Sequence, residues 1–329
     1  MVNAAIVGLG WWGRVLVASV REGARRIRFT HAVEREPAKH AAFAAAHGLA
    51  MMATLADALA LPEIDAVVLA TPHSLHVEQI LACAAAGKPV FTEKPLALAL
   101  SEARRAVTAC GDADVVLGLG TDRRFLPAMR ALKDIVAGGS LGELLHLEAQ
   151  YANDALSQGL SGVWRSDPAE APGAGMTGPG LHALDSLIHL AGPVASIAGQ
   201  MLRPQGPAKP IDAVSLMLRF RSGATGLLGS VRGVPEYFRV TVFGTSGWAE
   251  MRGWGTLCLH RFAEKEVITT YDASFAVAGL LALFADAVER RAAFPVSTAS
   301  MLNTVAAFET AIEAFQRDGP LDVPGPFRG

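Results

Sequence analysis

The stretch AIVGLGWWGRVLVASV, residues 5–20, decides the fold prediction. An apolar run ends at Val7 and meets three glycines, Gly8, Gly10 and Gly13, in the spacing GxGxxG. A helix candidate follows at once. A short strand, a glycine-rich turn and a helix are therefore expected here, in that order.

The same alternation continues through the first third of the chain. Strand-like segments IRFTHAV, IDAVVLAT, KPVFTEK and ADVVLGLG alternate with helix-like segments that end at glycines such as Gly48 and Gly87. IDAVVLAT is a continuous apolar run, which is typical of a strand buried on both faces. This alternation predicts an α/β protein whose N-terminal domain, residues 1–122, is a doubly wound parallel sheet of the Rossmann type.

A different pattern begins after Asp122. LGELLHLEAQY alternates as a strand should, and SDPAEAPGAGMTGPG is a Gly/Pro-rich loop whose length marks it as functional. From 197 to 270 the chain is strand-rich, with turn signals such as RSG and GTSG, and helices are predicted over 276–290 and 298–315. Residues 123–329 are thus predicted to form an α+β domain with an antiparallel sheet.

Composition excludes several classes of protein. With 51% hydrophobic and 18% charged residues the chain can form a large core, and its net charge of −2 argues against a nucleic-acid-binding surface. No run of about 18 uncharged apolar residues predicts a membrane span, and the first residues enter a strand pattern without a cleavable leader. The three cysteines are far apart and form neither a disulfide framework nor a zinc pattern. We expect a soluble, cytoplasmic protein without a bound metal.

The glycine motif has the context of a dinucleotide site. Gly8 permits the tight turn, Gly10 lets the backbone approach a pyrophosphate, and Gly13 lets the helix pack against the sheet. The acidic residue expected at the end of the second strand is Glu34, 21 residues past Gly13. Its carboxylate would accept hydrogen bonds from the ribose and repel a 2′-phosphate, although the neighbouring Arg35 could hold that phosphate. The residues favour NAD over NADP.

Two loops at the carboxyl ends of later strands should border the same cofactor. In ATPHSLH, Thr71 and Pro72 would shape the wall and His76 could face the crevice, or simply open the next helix. In FTEKPLAL, Glu93 and Lys94 follow another short strand. The proline after Lys94 favours an extended backbone there, and the lysine could stabilise negative charge on a reacting oxygen.

Two tryptophans occupy the variable positions of the glycine motif. Their indole rings could lie at the mouth of the ligand site or seal the helix against its neighbours. Since adjacent positions cannot face the same way, we expect Trp11 to pack inward and Trp12 to border the ligand.

Several segments together resemble the Gfo/Idh/MocA oxidoreductase family. They are GLGWWG, ATPHSLHVEQILACAAAGKPVFTEKPLAL, DRRFLPAMRALKDIVAGGSLGELLHLEA and LHALDSLIHLAGPV, and they run through most of the chain. The resemblance implies a nucleotide-binding domain followed by an α/β domain with a large open antiparallel sheet. It also implies NAD(P)-dependent hydride transfer on a secondary alcohol or ketone of a sugar, polyol or cyclic diol.

The resemblance also implies roles for individual residues. Lys94 matches the lysine of the EKP motif that contacts the reacting oxygen, and His182 matches the histidine that serves as general acid/base. Asp185 matches an acidic residue one helical turn on, which could orient nearby groups or contact substrate. Arg123 and Arg124 match a segment near the domain junction, where one of them could contact substrate or both could form salt bridges that pack the domains. Many members carry an aspartate four residues before the histidine, where this chain has Gly178, so the usual set is incomplete.

Other features extend the hypothesis or leave it open. Trp164 and Arg165, just before the Gly/Pro-rich loop, could line the substrate pocket. The run GMTGPGLH resembles the branch with phthalate dihydrodiol dehydrogenases. Two alternatives stay open: a hydrolase or lyase that uses NAD for transient oxidation, as in a few glycosidases that resemble this family, and a cofactor-binding sensor without activity, suggested by Gly178. If one face of the C-terminal sheet is not covered by helices, a homodimer or homotetramer should form through it.

Overall fold

The computed structural model describes residues 1–23, 26–154, 163–202, 212–273 and 276–327. The chain divides into two compact units, Met1–Gly120 with Val277–Met301 and Thr121–Ala276 with Leu302–Gly329. The division after Gly120 lies close to the predicted one after residue 122. The predicted two-segment division has no counterpart to the return of residues 277–301 to the first unit.

The first unit contains a six-stranded parallel sheet in the order β3-β2-β1-β4-β5-β6. Its strands are β1 Val2–Val7, β2 Ile27–Val33, β3 Ala50–Met52, β4 Ala66–Leu69, β5 Val90–Thr92 and β6 Leu117–Leu119. Its helices are α1 Trp11–Gly23, α2 Ala41–His47, α3 Leu55–Leu59, α4 His76–Ala85, α5 Leu100–Asp112 and α8 Ala276–Val288. The order reverses between β1 and β4, and this doubly wound arrangement confirms the prediction.

The returning segment completes the core of the first unit. Phe284 of α8 is fully buried, and its ring lies 5.6 Å from the ring of Phe91 on β5. Gly118 on β6 lies beneath both rings, because a Cβ there would come within 2.8 Å of each. The hydrophobic core of the parallel sheet therefore depends on residues almost 200 positions further along the chain.

The second unit is built on a nine-stranded sheet in the order β14-β13-β12-β11-β7-β10-β9-β8-β15. Its strands are β7 Leu144–Asn153, β8 Val194–Leu202, β9 Asp212–Phe220, β10 Thr225–Arg232, β11 Tyr237–Gly244, β12 Gly247–Arg252, β13 Thr256–Arg261, β14 Val267–Thr270 and β15 Leu321–Asp322. Its other helices are α6 Pro127–Ala137 and α7 Pro179–Ala191, and α9 Thr298–Ala314 begins in the first unit and ends in the second. All strand pairs are antiparallel except β7 with β10, which confirms the mostly antiparallel sheet.

Side chains alternate between the two faces of this sheet, as the pleat requires. On β9, Leu216 and Leu218 are buried whereas Met217 between them is 63% exposed. The helix α7 packs against β7 and β10. Among the described residues, no helix is both long and apolar enough to cross a membrane.

Candidate functional site

The glycine-rich turn between β1 and α1 has no room for side chains at two positions. Gly8 has a φ of +96°, and a Cβ there would lie 2.7 Å from the carbonyl oxygen of Ala70. At Gly13 a Cβ would lie 1.9 Å from the carbonyl oxygen of Gly8. Only glycine fits either position, so the turn stays tight and the first turn of α1 packs directly on it.

The space in front of this turn suits a dinucleotide. Among the residues that the structure describes, no atom lies within 4 Å of a Cβ built on Gly10, so the backbone there is open to a ligand. α1 begins at Trp11, and its first N–H groups and positive dipole end lie at the turn. The indole Nε1 of Trp12 is buried, and no group in the described part of the chain accepts a hydrogen bond from it. A phosphate oxygen would satisfy these donors.

The two tryptophans lie side by side at the start of α1. Their ring centroids are 5.3 Å apart, Trp11 is 44% exposed, and Trp12 is half-buried. The expectation that Trp11 packs inward is therefore wrong, because its ring is the more exposed of the two. A ligand contact by Trp12 stays a prediction, supported by its buried Nε1.

Glu34 lies beside the glycine-rich turn, directly after β2. Its Oε1 accepts a hydrogen bond from the main-chain N–H of Leu9 and lies 3.7 Å from Nε2 of His40. The carboxylate is 18% exposed, whereas the neighbouring Arg35 is an exposed residue. A negative group therefore stands next to the turn, which is the arrangement expected of an NAD site.

His76 links the two loops that were expected to border the cofactor. It is fully buried, with Nδ1 2.8 Å from the carbonyl oxygen of Pro95 and Nε2 3.1 Å from that of Thr71. The hydroxyl of Thr71 donates to Oε1 of Gln79 at 2.6 Å, and Pro72 immediately precedes the turn His73–Leu75. His76 thus braces the two loops through main-chain carbonyls, and its contact with the cofactor stays a prediction.

The EKP motif lies directly after β5. Glu93 and Lys94 are half-buried, and Oε2 of Glu93 accepts a hydrogen bond from the backbone N–H of Lys94 at 3.4 Å. The peptide bond between Lys94 and Pro95 is cis. A Cβ on Gly120 would lie 2.6 Å from Oε1 of Glu93, so this carboxylate packs closely on the backbone that follows β6.

In the second unit, His182 on α7 faces a buried carboxylate. Nδ1 of His182 lies 3.7 Å from Oδ1 of Asp122, whose side chain is 5% exposed against 14% for the histidine. The ring of Tyr151 on β7 is centred 6.0 Å from the imidazole. Asp122 begins the 3-10 turn Asp122–Phe125.

Two residues along the same turn, Arg124 is bound to Asp185 of α7. Nε and Nη2 of Arg124 donate to the two carboxylate oxygens at 2.7 and 2.6 Å, and the hydroxyl of Thr304 donates to Oδ1 at 3.2 Å. All three side chains are buried. Both oxygens of Asp185 are thus engaged inside the unit, which suits a positioning role, and its contact with substrate stays a prediction.

Arg123 connects Asp122 to a group of aromatic rings. Its Nη1 donates to Oδ2 of Asp122 at 2.5 Å and its Nη2 to the hydroxyl of Tyr151 at 3.3 Å, while its guanidinium lies 4.2 Å from the ring centroid of Trp254. Burial acts to lower the pKa of Arg123, but Asp122 and Tyr151 outweigh it and raise that pKa above its usual value. The cation is thus held firmly in place.

Sequence reasoning missed three members of this cluster, Asp122, Tyr151 and Trp254. Asp122 had a signal, since an acidic residue just past the last strand of a parallel sheet lies at the edge where such sheets bind ligands. Tyr151 and Trp254 had none, because an aromatic residue in a strand or a tight turn usually indicates packing.

The remaining predicted residues are placed as follows. The guanidinium of Arg165 lies 4.1 Å from the ring centroid of Trp164, and their contact with substrate stays a prediction. Lys94 belongs to the first unit and His182 to the second. Across the described ranges, no group of three or more His, Cys, Asp or Glu side chains could hold a metal ion.

His189 lies two helical turns after His182 on α7, and it should make the folded protein less stable in acid. Burial, followed by the positive charges of Arg124 and Lys133, lowers its pKa from 6.5 to about 4. The unfolded chain therefore takes up this proton first as the pH falls from 6.5 toward 4, and the folded state loses stability over that range. We expect a loss of about 2 kcal/mol between pH 7.5 and pH 5 from this residue.

Urea unfolding at the two pH values measures this loss. The His189→Gln variant should lose less stability on acidification than the unmodified protein, whereas His47→Gln on α2 of the first unit should not change the loss. An equal loss of stability in the His189→Gln variant and the unmodified protein would show that His189 is not the cause.

Comparison with known proteins divides the chain in a similar way. Residues 2–121 match the family model described as "Oxidoreductase family, NAD-binding Rossmann fold", and residues 129–250 match the model described as "GFO/IDH/MocA C-terminal domain". The chain is 30% identical over 259 residues to the rhizopine catabolism protein MocA of Rhizobium meliloti, which covers 75% of this chain and 77% of that protein.

Two further proteins are similar to this chain. The chain is 35% identical over 186 residues to the 1,5-anhydro-D-fructose reductase of Ensifer adhaerens, which covers 56% of this chain and 55% of the reductase. This chain thus spans about half the length of that relative. The structure superposes on levoglucosan dehydrogenase, solved in complex with NADH and levoglucosan, with a TM-score of 0.88 at 21% identity over 98% of this chain and 99% of that one. At this identity the likeness establishes the fold.

Proposed function

The chain belongs to the Gfo/Idh/MocA family of NAD(P)-dependent oxidoreductases, and from this membership we propose that it oxidises or reduces one carbon of a sugar, polyol or cyclic diol. The reaction interconverts a secondary alcohol and a ketone. The observation that carries the proposal is the glycine-rich turn at the start of α1. No residue larger than glycine fits at Gly8 or at Gly13, so the backbone there stays tight.

The residues of the first unit fit the cofactor. The backbone at Gly10 and the first N–H groups of α1 would hold the pyrophosphate, with Glu34 at the ribose and Thr71 and Pro72 along the wall. When bound, the nicotinamide cofactor supplies the hydride acceptor in one direction and the hydride donor in the other. Glu34 beside the turn favours NAD, and Arg35 leaves NADP as the second candidate.

Two residues carry the chemistry in this proposal. His182 accepts the proton of the substrate hydroxyl as the alcohol is oxidised, since imidazole titrates near neutral pH. Lys94 donates a hydrogen bond to the same oxygen and stabilises the negative charge that develops there. In the reductive direction His182 returns the proton and Lys94 polarises the carbonyl group.

A substrate panel tests the proposed reaction. The protein is incubated with NAD or NADP and with sugars, inositols, other polyols and cyclic dihydrodiols, while the absorbance of the reduced nicotinamide is followed. We expect turnover with at least one hydroxylated substrate, faster with NAD. The dihydrodiols in the panel test the predicted branch with phthalate dihydrodiol dehydrogenases.

The same panel separates the alternatives. Substrate consumption without net change in reduced nicotinamide would indicate a hydrolase or lyase that oxidises its substrate transiently. Tight cofactor binding without any turnover would indicate a sensor. The names of two relatives, the rhizopine catabolism protein MocA and 1,5-anhydro-D-fructose reductase, favour net hydride transfer over both the hydrolase or lyase and the sensor.

We also propose that the exposed face of the nine-stranded sheet binds a second copy of the chain. Met217 and Leu227 are paired across β9 and β10 and are 63% and 45% exposed. An exposed apolar sheet face of this kind is typical of an interface between subunits. A homodimer, or a homotetramer built from it, would cover it.

Light scattering on a gel-filtration column tests the interface. We expect the unmodified protein to elute as a dimer or tetramer, and the Met217→Lys/Leu227→Lys double variant to shift toward monomer. Leu75→Lys, at a residue of the first unit that is 43% exposed, is the matched control and should keep the oligomer. A monomeric unmodified protein would refute the interface.

A cytoplasmic location is proposed from the cysteines. Cys83, Cys110 and Cys258 are free and buried, and burial raises the pKa of Cys83 to about 12 and that of Cys110 to about 11. Such thiols persist unpaired in a reducing compartment. A disulfide in freshly isolated protein would contradict this location.

A further inference from the structure

We propose that Asp122 is the carboxylate that orients His182 and stabilises its protonated form. The inference rests on the proposed role of His182 as proton acceptor. It adds a positioning residue to that role, one that lies 60 positions away in the sequence, on the turn before α6.

The first support is the state of the Asp122 carboxylate. Its Oδ2 accepts a hydrogen bond from Arg123, whereas Oδ1 is buried and forms no hydrogen bond with the described part of the chain. A buried carboxylate oxygen without a donor carries a cost, and a nearby donor removes it. Nδ1 of His182 is 3.7 Å away, so a small movement of either side chain closes the pair.

The second support is the way in which the turn is fixed to α7. Arg124 is joined to Asp185 by two hydrogen bonds, and Asp185 lies one helical turn after His182. The same short turn therefore meets the same helix twice, once through Arg124 and once through Asp122. This link fixes the position of Asp122 relative to the imidazole.

The consequence follows from the chemistry of imidazole. A carboxylate at Nδ1 holds the proton on that nitrogen, so Nε2 carries the lone pair and is the atom that takes up the substrate proton. The negative charge also favours the doubly protonated ring that results. Tyr151 from β7 and Arg123 behind the carboxylate face the same region, and Arg123 partly offsets the charge of Asp122.

Gly178 leaves this task to Asp122. It is the N-cap of α7, four residues before His182, and carries no side chain. Of the atoms in the described ranges, a Cβ there would meet the carbonyl oxygen of Gly175 alone, at 3.8 Å, so a side chain could be accommodated. The start of the helix therefore supplies no carboxylate to the ring, although it has space for one.

NMR titration of the protein with labelled histidine tests the proposal without substrate or cofactor. The His182 signal is assigned by its loss in the His182→Gln variant. In Asp122→Asn we expect the titration midpoint of His182 to fall by about one pH unit. Asp122→Glu, which keeps the charge, should stay near the unmodified protein, and the exposed Asp318→Asn serves as control.

Three outcomes would overturn the proposal. They are an unchanged midpoint in Asp122→Asn, an equal fall in Asp122→Asn and Asp122→Glu, and nitrogen shifts of the unmodified protein that place the proton of the neutral ring on Nε2. The last measurement needs no variant and stands even if Asp122→Asn fails to fold. Addition of Gly178→Asp to the Asp122→Asn variant should raise the midpoint again.

Failure here and failure of the proposed function are distinguishable. An active His182→Ala enzyme would overturn the catalytic role of the histidine and leave the titration readable. A failed titration would remove Asp122 from the argument and leave the role of His182 as it stands.

Discussion

Replacement of His182 by alanine is expected to lower kcat by about 10²- to 10⁴-fold, because the hydroxyl proton then has no acceptor in place. Lys94→Ala should lower kcat by about 10²- to 10³-fold, because the charge on the reacting oxygen loses its hydrogen-bond donor. In both variants binding of the reduced cofactor, followed by its fluorescence, should stay close to that of the unmodified protein, since the glycine-rich turn and the start of α1 would hold the pyrophosphate and neither residue belongs to them.

Matched controls separate these effects from general damage. His47→Ala on α2 and Lys265→Ala in the turn before β14 change the same residue types at positions outside the proposed chemistry and should keep full turnover. Full activity in His182→Ala and Lys94→Ala would refute the assignment of the catalytic residues. Loss of cofactor binding in either variant would show that the effect arises from the cofactor site.

Removal of the Arg124 guanidinium should cause the largest loss of stability. In Arg124→Ala the buried carboxylate of Asp185 loses two charge-assisted hydrogen bonds, and we expect a loss of about 3–5 kcal/mol in the free energy of unfolding. In a unit of this size such a loss lowers Tm by roughly 6–20 °C. Thermal unfolding followed by circular dichroism measures it.

A double variant identifies the cause of this loss. Arg124→Met/Asp185→Leu removes both charges and should be more stable than Arg124→Ala, because no unpaired charge stays buried. Arg105, an exposed arginine on α5 that pairs with Glu102, is the control, and Arg105→Ala should leave Tm nearly unchanged. A small effect of Arg124→Ala would show that the pair does not hold the turn to α7.

Local patterns in the sequence account for much of the fold. The glycine motif and the alternation of strands and helices predicted the parallel sheet, because each βαβ unit is encoded within a short stretch. Glu34 was found in the same way, since its distance from Gly13 is set by one helix and one strand. The alternation of apolar and polar residues predicted the strands of the second sheet, because that pattern is also local in the sequence.

The contacts within the cluster around His182 were not predictable, because its members meet only in the folded chain. Arg124 and Asp185 are 61 positions apart, and no local pattern records that they form an ion pair. The contact of the His76 ring with the carbonyl oxygen of Pro95, 19 positions along the chain, likewise has no local pattern that records it. The apolar pattern of α8 predicts a helix but does not indicate which of two cores it completes.

The placement of α8 also bears on how the protein is made. Phe284 packs on Phe91 in the core of the parallel sheet, and the first unit includes residues 277–301. During synthesis the ribosome releases all six strands of that sheet long before this helix. Residues 1–120 must therefore wait, with part of their hydrophobic interior uncovered, until most of the chain has been translated, and a product that stops before residue 276 would be a client for chaperones.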